Sequence, residues 1–444
     1  MSVPLLRRSV QINPLILESA SDYASFIMPD QRVTSPPAAP ISLGASEHAS
    51  AEPVGLSKAI VFLFALACGA TTANVYYAQS IAGPIADSLH LPRSLAGLIV
   101  TTTQLGYGLG LFFLVSLSDL VENRRLVLMT TSGTVLSLVW VAISLSAPSF
   151  LAASLVLGIC AVGSQILVPL AVHLSPEKQR GQVIGSIMGG LVTGIMLSRP
   201  LASFLAAQLG WRAIFVLSAA IMLSVLLLLA RSLPAWKPHP SRGYLMTLLS
   251  TLRLLATVRT LQRRAAYQGT LFAVFNLFWT GVPLMLHTRF GLGKIGIAAF
   301  ALAGAAGALA APIAGRVADK GGSTIGTGVV LLGSAIALLI SGWGQAAGSI
   351  LILVAAALIL DGAVQANQVF GQRIVQSIDP RARGRLNAAY MTVVFLCGAA
   401  GSALGSLTYY HGGWWLTASV GALMALGIFL VFLTESPRSR LPVR

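Results

Sequence analysis

Gly315-Arg-Val-Ala-Asp319-Lys-Gly-Gly322 lies between two long apolar segments, and Asp119-Leu-Val-Glu-Asn-Arg-Arg125 lies between two others. The two aspartates are 200 residues apart. Outward from this pair, Pro176-Glu-Lys-Gln-Arg180-Gly181 recurs as Pro380-Arg-Ala-Arg383-Gly384, and Gly210-Trp211 recurs as Gly413-Trp414. The offsets from Gly181 to Gly384 and from Trp211 to Trp414 are both 203 residues. Three matches in one order at nearly one offset imply that a whole bundle has been duplicated.

What was duplicated is apolar. Only 9% of residues are charged, 55% are hydrophobic and the mean hydropathy is +0.81, against about 25% charged residues in an ordinary soluble domain. A helix needs about 20 mostly apolar residues to cross a bilayer. Twelve such segments are predicted, spans 1 to 12, at roughly 57–81, 94–117, 125–146, 149–172, 182–207, 212–231, 266–288, 295–315, 325–343, 347–370, 386–408 and 413–433. The weak alternating strands of a membrane barrel are absent. The expected fold is an all-α membrane bundle of two six-helix pseudo-symmetric halves, 56–231 and 265–435. They are joined by a linker at 232–264 and flanked by a disordered tail at 1–55 and a short tail at 436–444. The N-terminal tail holds no apolar run long enough for a signal peptide. Leu245, Leu248, Leu249, Leu252 and Leu255 recur at helical spacing, so part of the linker is expected to be an amphipathic surface helix.

The net charge of +16 invites a nucleic-acid reading that its distribution rejects. With residue 1 in the cytoplasm, 24 of the 29 lysines and arginines fall in the tails and inner loops. Such bias orients membrane proteins and predicts both termini in the cytoplasm. Cys68, Cys160 and Cys397 lie inside spans without pairing or metal spacing and read as small buried hydrophobes. No nucleophile–base pair, metal motif or cofactor fingerprint appears in the spans, so neither an enzyme nor a cofactor is expected.

Polar residues inside the spans fall in stripes. Asp361, Gln365, Gln368 and Gln372 share one face of span 10, and Asp361 is the only acid deep in any span. Asn276, Thr280, Pro283 and His287 do the same on span 7, with Trp279 adjacent. Span 1 aligns Thr72, Tyr76 and Gln79 beside Asn74 and Tyr77; span 4 aligns Gln165, Pro169 and His173. Arg199 sits deep in span 5, where an unpaired cation costs roughly 2.5–3.5 kcal/mol even on the lenient insertion scale. It needs a partner, and Asp361 is the deep carboxylate available. Small residues line span 8 (Ala301, Gly304, Ala305, Ala308, Pro312, Gly315) and span 5 (Gly185, Gly189, Gly190, Gly194), as close helix packing requires.

These features resemble the major facilitator superfamily over residues 56–435. Its signature after span 2, Gly-x-x-x-Asp-(Arg/Lys)-x-Gly-(Arg/Lys)-(Arg/Lys), is similar to Gly315, Asp319, Lys320 and Gly322 in the second half. In the first half it is matched by Asp119, Arg124 and Arg125. The resemblance implies a cytoplasmic gate, in which a carboxylate at a helix end is held by cations and a facing helix N-terminus. It also implies a central cavity lined by spans 1, 4, 7 and 10, the spans that carry the polar stripes. Arg199-Pro200 stands where the drug:proton antiporter branch has Gly-Pro, while the middle of span 4, Leu157-Gly-Ile-Cys-Ala-Val-Gly163, lacks the arginine of many proton-coupled relatives. Asn74-Val-Tyr-Tyr-Ala-Gln79 together with Gln104 and Tyr107 looks like bacterial sugar, nucleoside and drug efflux proteins. The expected substrate cavity is Asn74, Tyr76, Tyr77, Gln79, Gln104, Tyr107, Gln165, Asn276, Trp279, Gln365 and Gln368, with proton coupling at Asp361 and Arg199. The implied function is export of a small organic solute by proton antiport through a monomer in the bacterial inner membrane. Symport of a metabolite is the alternative, and a non-transporting receptor a remoter one. A protonated Asp361 would be neutral and permit closure; an ionised one would attract a cationic or hydrogen-bonding solute.

Overall fold

The computed structural model describes residues 56–118, 120–234, 236, 243–379 and 382–435. The expected tails and Asp119 lie outside the described residues. Among the described residues every regular element is helical. Among the described residues ten helices are long and apolar enough to cross a membrane; one of them is double, which makes eleven crossings, and a twelfth is built from shorter pieces.

The double helix is Arg383–Leu433, spans 11 and 12 together. Its 51 residues would extend for about 75 Å if straight, more than twice the hydrocarbon thickness. It folds back at Gly412-Gly413, where Gly413 takes φ 64°, a region open to glycine and strained for other residues. Thr408 Oγ1 then donates to Thr417 Oγ1 at 3.1 Å, although nine residues of straight helix would separate them by about 13 Å. Span 8 runs as Lys294–Ala305, a 3-10 turn at Ala306–Leu309, and Ala310–Asp319. Pro312 explains the break: it has no N–H to donate to the carbonyl of residue 308, and its ring crowds that carbonyl.

The remaining spans are Lys58–Ala73 with Tyr77–Ser88 (span 1), Gly97–Leu117 (2), Asn123–Ile143 (3) and Ala147–Cys160 with Gly163–His173 (4). They continue with Glu177–Leu209 (5), Arg212–Ser232 (6), Arg259–Phe290 (7), Ser323–Ala346 (9) and Ile350–Ile378 (10). Span 7 begins at Arg259, inside the stretch read from sequence as linker. The linker helix is Tyr244–Thr257; it buries Leu248 and Thr251 and leaves Leu245, Leu249 and Leu252 exposed.

Packing repeats between the halves. On span 5, a Cβ on Gly190 or Gly194 would strike the backbone of Ala65 or Gly69 on span 1. On span 11, a Cβ on Gly401 or Gly405 would strike the backbone of Ala273 or Leu277 on span 7. Each glycine recurs 211 residues on and each partner 208 residues on, so one close helix crossing has been copied intact. Small residues are what allow it, since lipid supplies no hydrophobic drive and helices must gain contact by backbone approach. Gly185, Gly189 and Gly315, read as members of the same faces, have open space where a Cβ would stand.

Contacts between the halves have a direction. At the end remote from the linker, Lys294 Nζ of span 8 donates to the Ala206 carbonyl of span 5 at 2.9 Å. There too, Ser406 Oγ of span 11 accepts from Gly97 N at 3.0 Å and Ser402 Oγ donates to the Gly97 carbonyl at 3.1 Å. The outer piece of span 8 packs on span 5, whereas Ala310–Asp319 packs on spans 9 and 10 of its own half. Spans 5 and 8 therefore meet at the far end and part toward the linker end.

Candidate functional site

The site begins with a broken helix. Span 1 is interrupted at 74–76, where Val75 N and Tyr76 N donate three residues back instead of four and the Asn74 carboxamide takes the Ala70 carbonyl at 3.0 Å. The turn reorients the outer piece of span 1, and Gln79 on that piece meets the second half. Gln79 Nε2 donates to Asn276 Oδ1 of span 7 at 2.5 Å, and Gln104 Nε2 of span 2 donates to the same oxygen at 3.3 Å. Arg199 Nε of span 5 donates to Gln79 Oε1 at 3.0 Å. Arg199 Nη1 lies 3.6 Å from Asp361 Oδ2 of span 10, and Trp279 Nε1 donates to Asp361 Oδ1 at 2.7 Å. One polar chain thus runs Gln104, Asn276, Gln79, Arg199, Asp361, Trp279, crossing between halves at Asn276 and again at Asp361.

The chain is dry. Arg199 is 3% exposed and Asp361 5%. The guanidinium is stacked over Trp279 at 4.3 Å and over Phe275 at 4.8 Å, with Tyr76 at 5.8 Å. Aromatic faces solvate a cation by their quadrupoles, the more so out of water. Both Asp361 oxygens face donors, an indole N–H and a guanidinium, which suits an acceptor-only carboxylate. Glycines on span 8 make the room: a Cβ on Gly304 would come 2.7 Å from Trp279, and one on Gly307 would come 2.7 Å from the Asp361 Cβ. Phe275 and Gly307 escaped the sequence reading. Phe275 looks like any core aromatic, and Gly307 was legible only as another small residue on a helix that is in fact interrupted there.

Other candidates divide. Tyr76, Gln79, Gln104, Asn276, Trp279, Arg199 and Asp361 come together. Tyr107 packs at a tilt against Phe395 of span 11 at 4.4 Å and accepts from Gln165 Nε2 at 3.5 Å, one helical turn toward the linker end. Gln368 Nε2 approaches Met391 Sδ at 3.1 Å, and Gln365 is half-buried one turn from Asp361. Asn74 does not join: its Oδ1 accepts from Ser218 Oγ of span 6 at 2.5 Å, within its own half, and Tyr77 packs in the same apolar cluster of that half. Their placement rests on the likeness of Asn74–Gln79 to efflux proteins, whereas helical spacing aligns only Thr72, Tyr76 and Gln79.

Beyond the polar layer, toward the far end, lies a vestibule of about 890 Å³ between the halves. Ser80 and Ser203 line it; Ser80 Oγ donates to the Arg199 carbonyl at 3.1 Å, so the charge pair lies directly beneath. At the linker end the expected gate residues are held within their own halves. Asp319 pairs with Arg373 of span 10, and Arg124 Nη2 donates to the Ala230 carbonyl at 2.7 Å. Arg125 pairs with Glu122 at 3.3 Å, Gly315 has no close neighbour, and Lys320 is exposed.

Twelve crossings in two copied bundles, closed upon each other over a buried charge pair, define a multi-pass membrane transporter. The sequence profile of the Major Facilitator Superfamily matches residues 60–402, and the chain belongs to that family. It is 39% identical over 380 residues to the transporter YgaY of Escherichia coli (strain K12), covering 85% of this chain and 95% of that one. The purine ribonucleoside efflux pump NepI of Escherichia coli O6:K15:H31 is 26% identical over 200 residues, 45% of this chain and 48% of that one. Among solved structures, a D-xylose-proton symporter superposes with a TM-score of 0.66 at 16% identity, covering 83% of this chain and 96% of that one.

Proposed function

We propose that this transporter exports a small neutral or cationic organic solute across the bacterial inner membrane in exchange for protons, as a monomer with both termini in the cytoplasm. The Arg199–Asp361 pair carries the reading: two opposite charges, one from each half, meet at mid-membrane at 3.6 Å. A proton taken by Asp361 removes the Coulombic tie between the halves and leaves Arg199 a cation in want of a partner. Release of that proton restores the tie. The layer separates the vestibule from the linker end, so making and breaking the tie would open the site to one side at a time. In this reading the closed layer is held by an ionised Asp361 against Arg199, in place of the neutral Asp361 expected for closure. Asp119 and Asp319 with their cations would secure the linker end in the opposite state. A sequence likeness to an efflux pump supports export.

The test is everted membrane vesicles with an imposed pH gradient and a panel of labelled nucleosides, sugars and aromatic drugs. Accumulation driven by an acidic interior supports exchange. Accumulation only when gradient and solute run together would establish symport, which the same charge pair could serve.

A further inference from the structure

The hydrogen-bond directions in the polar layer are fixed from both ends. Arg199 can only donate, so Gln79 must present its oxygen to Arg199 and its N–H to Asn276. Asn276 Nδ2 donates to the Phe272 carbonyl at 2.8 Å, so Asn276 must present its oxygen to Gln79 and Gln104. Two N–H groups of the first half thus converge on one carbonyl oxygen supplied by the second half. Two buried atoms of the same layer are left without a partner, Gln104 Oε1 and Arg199 Nη2. Buried polar atoms are nearly always paired, and leaving one unpaired is costly. An acceptor and a donor left open in one network describe the complement of something absent.

Gln104 states that complement most plainly. Its carboxamide offers an N–H, spent on Asn276, beside an open oxygen; together these match another cis-amide edge through two antiparallel hydrogen bonds. Tyr107 follows Gln104 by about one helical turn and packs against Phe395 with ring centroids 4.4 Å apart, an aromatic pair adjacent along span 2. We propose that Gln79 and Gln104 form a receptor for a cis-lactam edge on a flat heterocyclic solute, and that Asn276 occupies this receptor with its own carboxamide oxygen when no solute is bound. The solute's ring carbonyl takes the place of Asn276 Oδ1, and its ring N–H satisfies Gln104 Oε1. When the halves separate, Asn276 withdraws with the second half and leaves the receptor open. This assigns a solute class to the site and rests on the transport reading above.

The role of Asn276 as a stand-in has a sign that a simple ligand-contacting role lacks, since removing an internal competitor raises the fraction of sites open to solute. The probes are 2-quinolone, which carries a cis-lactam; N-methyl-2-quinolone, which lacks the N–H; and quinoline, which lacks the carbonyl. Equilibrium dialysis against purified full-length protein should show 2-quinolone binding at least tenfold more tightly than either analogue. Asn276→Ala and the bulk-conserving Asn276→Leu should each bind 2-quinolone several-fold more tightly than wild type, and Gln104→Leu should abolish the preference. No preference among the three probes, or weaker 2-quinolone binding in both Asn276 variants with monodisperse protein, overturns the proposal. The two readings fail separately. A lactam preference without movement of 2-quinolone by a pH gradient sinks proton exchange and leaves the receptor standing; pH-driven movement of other solutes without that preference does the reverse.

Discussion

Asp361→Asn keeps the acceptor for Trp279 Nε1 and removes the charge, so it isolates what the ion pair contributes. Breaking a buried pair by deleting one partner typically costs about 3–5 kcal/mol, because the other charge stays buried. Here Arg199 retains its hydrogen bond to Gln79 and its stacking on Trp279 and Phe275, contacts that offset roughly 1–2 kcal/mol. A net loss of about 1–4 kcal/mol remains, and it falls on the conformation in which the halves meet at mid-membrane. At 1.36 kcal/mol per tenfold, the closed layer should open roughly 5- to 900-fold more often. Ser203 reports on this, being 2% exposed on the vestibule floor one turn beyond Arg199. In a background without Cys68, Cys160 and Cys397, alkylation of Ser203→Cys by a membrane-impermeant maleimide should accelerate by that factor in Asp361→Asn. Arg199→Leu should accelerate it as well, by stranding the carboxylate. The double variant Arg199→Leu/Asp361→Asn should be slower than either single one, because no uncompensated charge remains. Unchanged alkylation in Asp361→Asn, or additive acceleration in the double variant, would show that the ion pair does not hold the layer closed.

Gly307→Val should impair transport and lower thermal stability, since even a Cβ would come 2.7 Å from the Asp361 Cβ; wild-type melting behaviour would show that span 8 gives way instead. Glu435→Gln should destabilise the second half by about 3–5 kcal/mol, because it strands Arg264, paired at 3.0 Å with both side chains buried; chemical denaturation in detergent measures the loss. Asp319→Asn should reduce transport while leaving equilibrium solute binding within a few-fold of wild type. Its partner Arg373 is half-exposed in this state, where such pairs contribute at most about 1 kcal/mol.

The fold was legible because membrane physics writes it in long apolar runs, and duplication wrote it twice. The partnership of Arg199 with Asp361 was legible for a related reason: a deep cation needs a deep anion, and the chain offers one. What could not be read were the places where helices stop being helices. Asn74 and Tyr77 were placed by the likeness of Asn74–Gln79 to efflux proteins, and the turn at 74–76 leaves them facing span 6. Likewise, the interruption at 306–309 was unread, and with it Gly307, where an added Cβ would come 2.7 Å from the Asp361 Cβ. Phe275 was hidden by its chemistry, since nothing in an apolar run separates an aromatic that stacks on a cation from one that fills the core. The paired use of Asn276 by Gln79 and Gln104 joins three spans from two halves, a relation that spacing along one helix does not contain.

Whether Asp361 couples solute movement to protons is decided in proteoliposomes carrying wild type or Asp361→Asn. With the labelled solute that wild type moves best, accumulation under an imposed pH gradient is compared with counterflow at equal pH on both sides. Asp361→Asn should lose gradient-driven accumulation and keep counterflow, because the halves still alternate around a site that no longer binds the proton. Gradient-driven accumulation at the wild-type level in Asp361→Asn would remove Asp361 from the coupling.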